Sequence, residues 1–97
     1  MPKQLATTLA DIGAVSDMQN LLRDLMTKKE IIEISARLEA ARMLKDGKKY
    51  TEIMKSTNLS SRTVARISEW LKNGDGGYEK AINNIAAHHS HVPPARD

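Results

Sequence analysis

Residues 51–72 read TEIMKSTNLSSRTVARISEWLK, and the spacing of their apolar side chains sets the architecture. Thr51 is expected to cap a short helix over Glu52–Thr57, Asn58-Leu59-Ser60 to form a tight turn, and Ser60 to cap a second helix over Ser61–Lys72. Two helices that cross through a turn of 3–4 residues need apolar side chains at fixed places. One lies inside the first helix, one just after the turn, and two on the inner face of the second. Ile53, Leu59, Val64 and Ile67 occupy those places. Asn58 stands where the turn favours glycine, and asparagine tolerates a left-handed backbone better than most residues. The outward face of the second helix is then Ser61, Arg62, Ala65, Arg66 and Glu69. This is helix-turn-helix spacing over about residues 51–72.

On the N-terminal side, residues 4–15 (QLATTLADIGAV) form a weak helix that Gly13 interrupts. Asp17 is expected to cap a helix to about Met26, with Met18, Leu21, Leu22 and Leu25 on one face. Thr27 and Glu30 have the capping-box spacing, in which each side chain satisfies the other's backbone donor. The helix they open runs to Asp46, where Gly47 supplies a left-handed stop. It carries two apolar stripes: Ile31, Ile34, Leu38 and Ala41 on one, Ile32, Ala36 and Met43 on another. A surface helix of a monomer needs one stripe; two imply cover from both sides, by a second subunit. On the C-terminal side, Gly76-Gly77 breaks the chain before a last helix, Tyr78–Ala87, whose apolar side is Tyr78, Ala81, Ile82 and Ile85. The expected organisation is an N-terminal arm or weak helix over 1–16, a helical domain over 17–87, and a disordered tail over 88–97.

Composition narrows the function. The chain has 97 residues, 40% apolar and 3% aromatic, without cysteine or phenylalanine. A chain of this length buries only about 60–65% of its unfolded surface, and no disulfide can staple it, so a dimer is expected. The absence of cysteine excludes disulfide scaffolds, cysteine-ligated metal sites and cysteine nucleophiles. No signal peptide or membrane span is seen, which leaves the cytoplasm as the expected compartment. The formal charge of +3 is unevenly spread. Residues 42–72 hold eight basic groups (Arg42, Lys45, Lys48, Lys49, Lys55, Arg62, Arg66, Lys72) against three acids (Asp46, Glu52, Glu69), a net of +5 that leaves −2 elsewhere. A basic block is what a phosphate backbone selects; a solvated basic face is the plainer alternative. Small polar residues and an arginine at the N-terminal end of the second helix suit the reading of base edges in the major groove. Ser60, Ser61, Arg62, Ala65, Arg66, Thr51, Lys55, Lys48 and Lys49 are the candidate DNA-contacting residues.

The run from Leu21 to Ile82 resembles the Trp-repressor superfamily, and most closely its YerC/YecD-type branch. The marks are Leu22-Arg23-Asp24-Leu25, Thr27, Arg37-Leu38-Glu39, Gly47, Tyr50, Glu52-Ile53, Thr63-Val64, Arg66, Asn73-Gly74 and Gly76-Gly77-Tyr78. The resemblance implies an all-α, intertwined homodimer that binds operator DNA as a transcriptional repressor; with no Gly-rich phosphate loop, no Ser/His/Asp ordering beyond the tail histidines and no paired carboxylates, no enzymatic activity is expected. It implies an effector pocket near Arg37 and Arg66, which match the two arginines that hold tryptophan in the repressor, with Thr27 and Ile67 beside them. The repressor has glycine where this chain has Ile67, so tryptophan does not fit. Either Ile67 fills the pocket and no effector is needed, or a smaller anionic metabolite binds between the arginines. No other cofactor is expected. The His88-His89-Ser90-His91 cluster could hold a transition metal, but it lacks a co-ligand, and a metal site is not expected. A protein-interaction or antitoxin-type helical dimer with secondary nucleic-acid binding is the alternative function, and an RNA-binding regulator the third.

Overall fold

The computed structural model describes the backbone of residues 2–91 and the side chains of residues 2–84. Six helices and no strand occur among them: α1 (Lys3–Ala10), α2 (Val15–Leu25), α3 (Lys28–Lys45), α4 (Tyr50–Thr57), α5 (Ser61–Asn73) and α6 (Gly77–His91). The expected all-helical class holds. The chain divides into two units, Met1–Ile34 and Ser35–Asp97, with α3 beginning in the first and ending in the second.

In the first unit, α1 ends at Ala10, ahead of Gly13, and α2 begins at Val15 with Ala14 as its cap residue. The expected cap, Asp17, instead lies in the first turn of α2, where its charge complements the helix dipole. The backbone N–H of Thr27 donates to Glu30 Oε1 at 2.8 Å, and that of Glu30 donates to Thr27 Oγ1 at 3.1 Å. This reciprocal pair is the capping box read from the sequence. None of residues 2–34 is buried.

The second unit holds the core. Ala40, Ala41 and Met43 of α3, Ile53 of α4, Val64 and Ile67 of α5, and Ile82 of α6 are buried together, with Leu44, Met54, Leu59, Leu71 and Tyr78 packed against them. The N–H of Gly47 (φ +81°) donates to the Leu44 carbonyl, and that of Lys48 to the Met43 carbonyl, each at 3.0 Å. The two bonds form a Schellman stop that satisfies the last carbonyls of α3. Helix α4 begins at Tyr50 from a Lys49 cap residue without a side-chain bond, so Thr51 lies inside the first turn and does not cap it. Lys45 and Glu79 pair across α3 and α6. Helix α6 continues to His91, past the expected end at Ala87, because neither glycine nor proline interrupts residues 78–92. Residues 92–97 of the expected tail, and the side chains of Ile85 and His88–His91, lie outside the described residues.

Candidate nucleic-acid interface

The link between α4 and α5 is built from side-chain hydroxyls and one left-handed residue. Asn58 has φ 61°, and its N–H donates to the Met54 carbonyl at 2.8 Å. Thr57 Oγ1 donates to the Ile53 carbonyl at 2.7 Å and accepts from the Leu59 N–H at 3.3 Å. Ser60 caps α5: its Oγ accepts from the Thr63 N–H at 3.2 Å and donates to Thr63 Oγ1 at 3.1 Å. Its hydroxyl therefore orients the helix, which makes it a positioning group before it is a contact. The part played by Thr57 escaped the sequence reading, although a threonine just before a turn is a known signal for local backbone bonding.

On α5, Val64 and Ile67 face the core and have no exposed surface. Ser61, Arg62, Ala65, Arg66 and Glu69 are exposed and recur at helical spacing along one face. Lys48, Lys49, Thr51 and Lys55 are exposed ahead of them. The structure thus brings the outward face together as the apolar spacing required. It also sorts the basic block into two groups. Arg42 bonds bidentately to Glu39 (3.1 and 2.5 Å) and to Asp46 (3.0 Å), while Lys45 pairs with Glu79. The hydrogen bond from Arg42 holds the Glu39 carboxyl below its usual range and pushes the guanidinium's own pKa up. Among the described residues no ion pair engages Lys48, Lys49, Lys55, Arg62 or Arg66. The cations left for a partner are those on and just before α4 and α5.

The residues expected at an effector pocket fall in both units. Thr27 belongs to the first unit and is committed to the capping box. Arg37 and Arg66 belong to the second; Arg37 is half-buried and already engaged, and Arg66 is exposed. Ile67 is a core residue. No group of three or more histidine, cysteine, aspartate or glutamate side chains suited to a metal occurs among the described residues.

A model of the family described as Trp repressor protein matches residues 2–86. The chain belongs to the Trp repressor family. It is 34% identical over 86 residues to the Uncharacterized protein YerC of Bacillus subtilis, covering 86% of this chain and 83% of that one. A TrpR like protein from Eubacterium eligens superposes with a TM-score of 0.81 at 26% identity, covering 87% of both chains. A putative Trp repressor from Staphylococcus aureus gives 0.80 at 25% identity, over 87% of this chain and 84% of that one. These likenesses set it with the YerC type of TrpR-like proteins within the family. No helix among the described residues is long and apolar enough to cross a membrane.

Proposed function

We propose that this chain is a sequence-specific, double-stranded-DNA-binding transcriptional regulator, a repressor without enzymatic activity, that reads a near-palindromic operator as a homodimer in the cytoplasm. Membership of a DNA-binding regulatory family supports the class of function. The observation that carries the reading is the sorting of charge: Arg62 and Arg66 flank Ala65 on the exposed face of α5, and among the described residues no ion pair engages them. In this reading α4, the Asn58-Leu59-Ser60 turn and α5 form a helix-turn-helix, with the N-terminal end of α5 in the major groove. Arg62 reads a guanine through its O6 and N7, Ala65 meets a thymine methyl, and Lys48, Lys49 and Lys55 hold phosphates.

Selection of duplexes from a random pool tests it. The expected product is a near-palindrome with half-site centres about 34 Å apart, one helical turn. With about 3–5 phosphate contacts per subunit, log K against log salt should slope at roughly −5 to −9. Arg62→Ala should cost about 1–3 kcal/mol and relax one base pair per half-site, whereas Lys55→Ala should weaken all duplexes alike. Salt-insensitive binding, or no selected sequence, would favour the protein-interaction reading, for which the exposed Val15, Leu25, Ile32 and Ile34 offer an apolar surface.

A further inference from the structure

A cleft of about 550 Å³ opens where α5 ends and α6 begins; Asn73 in its lining donates to Glu69 Oε2 at 2.8 Å, at the C-terminal end of the outward face of α5. That volume is within the range of small-molecule sites, about 300–1,000 Å³. Its walls include Trp70, whose side chain is 46% exposed, and Tyr78, which rests on the core. Between them, in the Gly74-Asp75-Gly76 link, Asp75 provides the only formal charge in the lining.

The link fixes the shape. A Cβ on Gly74 would stand 2.6 Å from the Trp70 carbonyl oxygen, and Gly76 has φ +86°. A side chain at 74 would therefore push the turn off α5, and one at 76 would strain it. The link holds Asp75 in the lining of the same cleft as Trp70, and among the described residues it makes no hydrogen bond or ion pair through its side chain. The C-terminus of α5 and the N-terminus of α6 bring opposite partial charges to the same place, so the sign of the site is set by the carboxylate.

We propose that this cleft binds a small organic cation, an amine carried on an apolar body, with the ammonium between the Asp75 carboxylate and the face of Trp70 and the body against Tyr78. An aromatic face and a carboxylate both attract a cation, and indole is the strongest of the aromatic partners. The proposal stands apart from the DNA reading, because neither Arg62 nor Lys55 takes part.

Trp70 is the sole tryptophan of the chain, so its emission reports the cleft directly. The full chain is titrated with phenethylamine, with neutral 2-phenylethanol, and with phenylacetate. The amine should give a saturable change with a midpoint at least about tenfold below that of the alcohol, and phenylacetate should give none. Asp75→Asn, at an exposed link position, should leave the helical signal intact and abolish the difference between amine and alcohol. Calorimetry on Trp70→Phe should show the amine weakened several-fold. Equal binding of amine and alcohol, amine binding untouched by Asp75→Asn, or no saturation by about 10 mM would each overturn the proposal.

Discussion

Ile67 has no exposed surface and lies against the other buried side chains of the second unit. The pattern that placed it on the inner face of the turn is the same one on which the proposal that tryptophan is not an effector rests. Truncation to alanine should therefore cost about 2–5 kcal/mol of stability in chemical denaturation, the range for emptying a buried isoleucine site. Calorimetric titration of the wild-type chain with tryptophan should show no saturable heat, and tryptophan should leave operator affinity unchanged. Tryptophan binding that strengthened the DNA complex would reverse this assignment of Ile67. Other single positions were equally legible. Asn58 adopts the left-handed backbone and Ser60 the cap that their types predict. The cleft beside Trp70 was not legible, because it depends on how closely a glycine passes a carbonyl rather than on residue type.

Helix ends show where reading the sequence works and where it stops. Thr27, Gly47 and Ser60 were identified because each end is closed by a side chain or by a left-handed glycine that leaves a mark in the sequence. Ala14 and Lys49 start α2 and α4 without a side-chain bond. With no such mark, Asp17 and Thr51 were the nearest residues of capping type, and both lie inside the first turn. The basic block divides along the same line. Glu39 and Arg42 on α3 and Asp46 just past its end are near neighbours and their pairing is visible in the spacing, whereas Lys45 and Glu79 are brought together only by the fold. The capping box gives the prediction at this scale. Thr27→Ala should lower stability by about 1 kcal/mol. Glu30→Ala should cost a similar amount, and the double variant less than the sum, because each removes the same reciprocal unit. Additive losses in the melting series would show that the two bonds act separately.

At the scale of the molecule, the long helix α3 meets the two-stripe expectation only in part. Its C-terminal half buries Ala41 and Met43, one from each stripe, while Ile32 and Ile34 remain 61% and 53% exposed further up. A second copy of the chain covering these residues is the arrangement that the two stripes, and the proposed two-fold reading of DNA, both require. Sedimentation at micromolar concentration should give a mass near twice 10.8 kDa; a stable folded monomer would dismiss it. A feature of the first unit then acquires a meaning in the life of the cell. With no buried residue between positions 2 and 34, a chain outside the proposed dimer offers proteases a segment that no buried side chain anchors. If the proposed dimer forms, paired chains should be shielded and solitary ones cleared, so the half-life of this protein should lengthen as its abundance rises. A regulator built on that dimer would respond to its own synthesis as a threshold, silent at trace levels and persistent once enough copies had met.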